Sequence, residues 1–429
     1  MTAPKKTVMG ITARLLDGVG LDERLAQLAP RMPGESPLGP HLPCGNDHTA
    51  EGLARRRQFL RDRGVEIGHL SGEAAPVPLP QLTANIENLV GFARIPVGVI
   101  GPLRVNGTVA HGDFYVPMAT TEGALVASYN RGAHVISRSG GATALCLTES
   151  VSRAPCFSFR SIREAGHFVS WVVEVFDELK RAAAETTRHG ELVDLRTSLA
   201  GKEVFLVFDF RTGDASGQNM VTIATARICR YLVENTPVMP QHWFVEGNLS
   251  GDKKATMQSF LYARGRKVVA EAHVPAKILK RFLHVSPAEM VRYWQVSVLG
   301  GALSGSIGVQ GHYANALAAI FAACGQDIAC VSEASVGLTR MDATPDGCLY
   351  ASVTLPNLIV GTVGGGTHLP TARECLEMMG CYGDGGAGKL AEICAVTALA
   401  GELSIIAALA SGTFADSHAR YGRKRDAKT

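Results

Sequence analysis

Four short stretches of the chain hold side chains able to do acid–base and electrostatic work on a carbonyl group. Pro117-Met-Ala-Thr-Thr-Glu122-Gly sets a carboxylate in a Thr/Gly turn where a helix begins. Asp252-Lys253-Lys254 lies in a Gly/Ser loop, Asp327 follows Cys324-Gly-Gln, and His418 stands near the C-terminus. Taken singly, each has an ordinary structural reading: a first-turn acid stabilised by the helix dipole, a solvated charge cluster, a capping aspartate, an exposed histidine. Together, a Glu, a Lys, an Asp and a late His are the groups a hydride reduction of a thioester requires. The carbonyl oxygen gains negative charge as hydride arrives, so a cation or an acid must meet it. The departing thiolate needs a proton donor, and histidine titrates in the useful range.

Such groups need a scaffold, and the composition supplies one. Of 429 residues, 46% are apolar, which is enough for a large core and suggests two or three domains. With 47 glycines and few aromatics, the chain reads as an α/β or α+β enzyme. A net charge of +3 gives no reason to invoke nucleic acid or an acidic membrane. The ten cysteines are scattered singly and read as reduced thiols of a cytoplasmic protein. No metal-ligand spacing is present. Met1 to Lys6 lacks a signal-peptide run. Residues 393–415 approach a membrane span in length, but Glu402 in their middle and their small side chains indicate a buried core or interface helix.

The pattern divides the chain into three domains. Residues 1–86 read as an N-terminal helical domain, with a charged helix at Leu53 to Arg63 and a Pro-rich linker at 76–80. Residues 87–154 and 245–429 read as one large mixed domain, with strands at Val97 and Val105 and helices at 121–137 and 313–324. Between them, 155–244 reads as a compact inserted domain: a helix over 164–187, a strand at Val204 to Phe210, a glycine loop at 212–219 and a helix from Val221. Two glycine runs remain. Gly383 to Gly388 fits GxGxxG but follows a helix, and Leu390 stands where a P-loop needs Ser or Thr, so it reads as a flexible surface loop. Thr362 to Thr367 follows an apolar strand and precedes a helix, a setting in which backbone can approach a phosphate.

From about Arg55 to Arg423 the chain resembles the catalytic portion of HMG-CoA reductases. The resemblance rests on ENLVGFARIPVGVIGPL from Glu87, PMATTEGALVASYNRGA from Pro117, GDASGQNM from Gly213, GDKK from Gly251, GQD from Gly325, GTVGGGT from Gly361 and Ser417-His418, all in the family's order. It implies an NADPH-dependent, two-hydride reduction of 3-hydroxy-3-methylglutaryl-CoA to mevalonate and CoA. Glu122 would be the general acid, Lys253 would hold the oxyanion, Asp327 would lie between them and tune their proton affinities, and His418 would protonate the CoA thiolate. Arg153, Asp252 and Lys254 match substrate-binding positions. Asp214, Ser216, Gly217, Gln218, Asn219, Gly364 and Gly365 match cofactor-binding loops, and Arg188 aligns with the stretch that meets the adenosine 2′-phosphate. The implied fold has a central helix in the large domain and a small ferredoxin-like cofactor domain. The implied assembly is a homodimer or homotetramer with active sites at the dimer interface, without nucleic-acid or membrane partners. The wording of TTEGALVAS, GTVGGGT and the DKK loop is closer to the class I branch. One departure matters: Glu246 stands where many relatives have a Ser touching the substrate carboxylate, and it must turn away, be protonated or pair with Arg153 or Lys254. That departure leaves open a reductase of another acyl-CoA, and a non-catalytic CoA-binding homologue is the further alternative.

Overall fold

The computed structural model describes residues 5–415. His418 and the basic tail lie outside them. The fold is a mixed helix-and-sheet architecture organised by two hydrophobic cores.

The larger core lies against a six-stranded sheet. Its strands run in the order His111–Ala119, Val97–Gly107, Ala142–Arg153, Gly265–Pro275, Cys348–Leu358 and Leu338–Ala343. All neighbours are antiparallel except Val97–Gly107 with Ala142–Arg153, which pair in parallel. The stretches expected as separate strands at Val97 and Val105 are one strand with a register shift between Ile100 and Leu103.

The helix Gly386–Ala410 crosses this core and packs on helices Leu125–Arg138 and Tyr313–Ala323. Small residues allow the close approach: a Cβ on Gly132 would collide with the Ala400 carbonyl. The helix is long and apolar enough to cross a membrane, yet 83% of its most apolar window is buried inside the protein. Two carboxylates interrupt it, and both are satisfied by backbone. Glu402 accepts from the amides of Gly311 and His312 and from the Thr339 hydroxyl. Glu392 accepts from the amides of Val109 and Ala110 and from the Thr108 hydroxyl.

The smaller core belongs to residues of the 151–243 stretch, among them Phe157, Phe159, Phe168, Phe208, Phe210, Val221 and Ile228. Its sheet order is His242–Phe244, Cys156–Ser158, Glu203–Arg211, Glu191–Ala200, antiparallel throughout. Strand Ala142–Arg153 joins the two sheets, because its last residues, 151–153, pair with Phe208–Phe210. The helix expected over 164–187 is two helices, Ile162–Glu174 and Phe176–Ala184. They meet at Val175, whose backbone (φ −96°, ψ 17°) leaves the helical range with no Gly or Pro to signal it. The first starts at Ser161, whose hydroxyl accepts from the Glu164 amide.

The N-terminal helices Lys5–Leu16 and Leu21–Leu28 lean on strands Ala142–Arg153 and Val97–Gly107 of the large sheet, and helix Ala50–Arg61 follows them. Leu60 and Ile67 close a satellite cluster with Met378. The expected flexible loop at Gly383 to Gly388 is a surface turn only over 383–385; from Gly386 it is the start of the central helix, with Gly386 and Ala387 buried. A side chain at Gly386 would collide with the Cys381 carbonyl, which explains the glycine without invoking a nucleotide.

Candidate active site

Where the two sheets join, five chain segments bring their charges together. The Lys253 ammonium donates to Asp327 Oδ2 at 2.7 Å. That hydrogen bond holds the lysine pKa above its usual value, against partial burial. Asp327 also caps its own segment, its Oδ1 accepting from the Ala329 amide at 3.1 Å. Lys253 itself adopts φ +55°, a left-handed conformation unusual for a residue with a Cβ.

Beside it, the Asp252 carboxylate accepts from Arg153 Nη1 and Arg264 Nη2, both at 2.8 Å. Burial opposes its ionisation, but the Arg264 and Arg153 guanidiniums outweigh burial and keep its pKa low. Arg153 also reaches Gln218 Oε1 at 3.2 Å. Lys254 is exposed, and its ammonium donates to the Asp252 carbonyl at 2.9 Å. Glu246 turns back onto its own loop. It accepts from the amides of Asn248 (2.7 Å) and Ala154 (3.3 Å), with Arg153 Nη1 3.8 Å away.

The two glycine loops adjoin this cluster. Ala215 and Val363 form a parallel bridge, and the Thr362 amide donates to the Asp214 carbonyl at 2.8 Å. A Cβ on Gly361 would collide with the Ser216 amide, so this approach requires glycine. Gln326 locks the same loop to Asp327's segment by exchanging two hydrogen bonds with Gly361. Gly364 and Gly365 face open space. Helix Gln218–Asn235 begins at Gly217 with no side-chain cap, which leaves first-turn amides able to meet an anion. Asn219 is exposed beside them. Arg188 is exposed on the turn after helix Phe176–Ala184, and its neighbour Thr187 donates to Met220 Sδ at 2.9 Å. Asp214 does something the motif did not suggest. Its carboxylate caps the central helix, accepting from Gly385 at 2.8 Å and Ala387 at 3.0 Å.

Glu122 stands apart. It lines a pocket of about 150 Å³ with Leu125, Arg131, Asn315, Ile405 and Ala408. Among the described residues it makes no hydrogen bond or ion pair to Lys253 or Asp327. Its amide donates to Thr120 Oγ1 at 3.0 Å, which shapes the turn. His418 is outside the described residues. Sequence reasoning missed Arg264 and Glu333 at the lysine cluster and Asn315 at the glutamate pocket, because none sits in a chemically suggestive local pattern; Arg131 stood inside the Pro117 motif but was given no role. Among the described residues no cluster of His, Cys, Asp or Glu could hold a metal ion.

Comparisons with known proteins agree on one family. A family model described as hydroxymethylglutaryl-coenzyme A reductase matches residues 52–423. The 3-hydroxy-3-methylglutaryl-coenzyme A reductase of Methanocaldococcus jannaschii is 41% identical over 86% of this chain and 92% of its own. That of Pyrococcus abyssi is 43% identical over the same shares. Among solved structures, the class II 3-hydroxy-3-methylglutaryl-CoA reductase of Streptococcus pneumoniae, bound to NADPH in open conformations, superposes with TM-score 0.68. It covers 83% of this chain and 96% of that one at 19% identity, a likeness of fold.

Proposed function

We infer the chemistry from one premise: the chain belongs to the hydroxymethylglutaryl-coenzyme A reductase family. It is an oxidoreductase that reduces 3-hydroxy-3-methylglutaryl-CoA with NADPH to mevalonate and CoA. The Lys253–Asp327 pair carries our assignment of the site.

In this reading Lys253 holds the oxygen that gains charge, and Asp327 keeps the ammonium protonated and aimed. Glu122 is the general acid and His418 the proton donor to the CoA thiolate. Arg153, Asp252 and Lys254 receive the carboxylate end of the acyl group. Glu246 is compatible with that role because it faces the amides of Asn248 and Ala154 and the Arg153 guanidinium.

We assign the cofactor to the inserted unit. Its element order, strand–helices–strand–strand–helix–strand, and its strand order support a ferredoxin-like domain over 155–244, between the halves 87–154 and 245–429 of the large domain. Gly213 to Asn219 and Gly364–Gly365 would line the dinucleotide, with Ser216, Gly217 and Gln218 at the helix N-terminus and Arg188 placed for the 2′-phosphate. Bound there, NADPH supplies the hydride. Asp214 serves this loop by anchoring it to the central helix.

The working form is a homodimer or a larger homo-oligomer. Two features support this: Glu122 lies outside the lysine cluster, and apolar surface is exposed at Val90, Phe92, Leu299 and Leu303. Ten free thiols support a cytoplasmic location. The class I-like reading rests on the wording of TTEGALVAS, GTVGGGT and the DKK loop.

The test is NADPH oxidation by the purified protein with 3-hydroxy-3-methylglutaryl-CoA, with NADH in parallel. Two NADPH consumed per mevalonate, with turnover about 10³-fold lower in Lys253→Ala, is the expected result. Undiminished turnover by Lys253→Ala would remove the proposed site.

A further inference from the structure

We propose that Glu333 and Arg264 are positioning residues that fix the backbone of Lys253 and tie it to Gln218 at the head of the cofactor-loop helix. The proposal rests on the reading of Lys253 as the oxyanion holder and adds what keeps it aimed.

Glu333 belongs to the short helix Val331–Ala334, on the segment that starts at Asp327. This segment grips Lys253 at both ends. Asp327 takes the ammonium at 2.7 Å, and Glu333 Oε1 accepts the Lys253 backbone amide at 3.1 Å. A left-handed φ at a residue with a Cβ persists only where its surroundings impose it, and the Glu333 carboxylate is a contact that does so.

Glu333 is in turn held by Arg264. Arg264 Nη1 lies 2.6 Å from Oε1 and 2.5 Å from Oε2. The side chains are 3% and 0% exposed. Burial pushes the Glu333 carboxyl up, and the guanidinium opposes it. The other arm of the fork, Arg264 Nη2, reaches Asp252 Oδ1 and Gln218 Oε1, each at 2.8 Å. The Arg264 amide is anchored to Asn357 Oδ1 on strand Cys348–Leu358. One guanidinium therefore connects the segment behind the lysine, the substrate loop and the first residue of the cofactor-loop helix. A buried ion pair is weak support for stability in itself. Here its partners include the backbone of the residue that must be aimed.

The experiment compares Glu333→Gln, Arg264→Lys and Lys253→Ala in the full chain with 3-hydroxy-3-methylglutaryl-CoA and NADPH. Folding is checked by circular dichroism and active sites are counted by NADPH binding. Glu333→Gln should lower kcat per active site by about 10²-fold, the scale of an ångström-level misplacement, with little change in acyl-CoA KM. The alkaline limb of its pH profile should move to lower pH, because a lysine no longer held against Asp327 loses its proton sooner. A purely structural role would lower thermal stability and leave the limb where it was. Arg264→Lys keeps the charge but loses the fork. It should lower kcat and raise the NADPH KM, and it decides the matter if Glu333→Gln does not fold. If Lys253→Ala retains turnover, the underlying site assignment fails. If Lys253→Ala is inactive while the other two keep wild-type kcat and pH profile, the positioning proposal alone is overturned.

Discussion

The Lys253 cluster and the Glu122 pocket are built on opposite principles. Around Lys253, charged side chains from five segments satisfy one another, and the two least exposed, Arg264 and Glu333, form a buried pair. Around Glu122, apolar side chains of the central helix shape a small pocket, and the residue is exposed, its backbone amide donating to Thr120 of its own turn. The first arrangement holds a cation ready before substrate arrives, which is how electrostatic stabilisation works best. In the proposed reading, the second leaves Glu122 to be completed by substrate or by a second subunit.

The contrast is sharpest at the level of single substitutions. Lys253→Ala should cost about 10³-fold in kcat with unchanged thermal stability, since the side chain is exposed. Glu122→Gln should cost about 10²-fold, again without destabilising the fold. Single-turnover rates and melting curves check both. Wild-type kcat in Glu122→Gln would dissolve the comparison by removing the pocket from catalysis.

Stability should break at a third place. Glu402→Ala on the central helix leaves the amides of Gly311 and His312 and the Thr339 hydroxyl without their acceptor. It should destabilise by about 3 kcal/mol, since buried groups left unpaired bear their full desolvation cost. Urea midpoints measure this. A loss comparable to that of an exposed substitution would mean that water replaces the carboxylate.

How much of this was legible in the sequence differs between the two regions. Gly251-Asp-Lys-Lys and Gly325-Gln-Asp pointed to Lys253 and Asp327 because they match the family's words in the family's order; read alone, they too looked like a solvated charge cluster and a capping aspartate. Arg264 and Glu333 were illegible, since Ala263-Arg264-Gly265 and Ser332-Glu333-Ala334 look like solvated charges until the fold buries them together. Asp214 was legible as part of a loop but not as a helix cap, because its partners lie 171 and 173 residues away. The core helix was read from its apolar run, but its start was placed too late. Glycines usually end helices, and here Gly386 opens one because only hydrogen fits against Cys381. The break at Val175 left no trace in the residue types.

The lysine cluster also has a consequence for the pH profile. The Lys253 pKa is raised, chiefly by its hydrogen bond to Asp327. Activity that needs the ammonium is therefore full below that pKa and falls as pH rises through it. Asp327→Asn removes the cause, so the alkaline limb of the residual activity should appear at lower pH. The same measurement on Glu122→Gln should leave the alkaline limb in place. If both variants shift it equally, the two regions titrate as one unit, and the separation drawn from their geometry does not describe the working enzyme.

The smallest expected effect lies at the outer edge of the lysine side of the molecule. Arg188 is exposed, and its turn meets helix Gln218–Asn235 through Thr187 with Met220 and through Glu185 with Arg227. A guanidinium there can meet a 2′-phosphate as a charge-assisted pair but has nothing to offer the 2′-hydroxyl of NADH. Arg188→Ala should therefore raise the NADPH KM about tenfold, the effect of about 1.4 kcal/mol, and leave the NADH KM and both kcat values alone. Because the pair would be solvent-exposed, the wild-type preference for NADPH should weaken with added salt, while the variant's should not. A change in kcat, or an equal rise in both KM values, would mean that Arg188 shapes the loop rather than reads the phosphate. The cofactor preference would then have to come from the Gln218 end of the site, where Arg153 and Arg264 already converge.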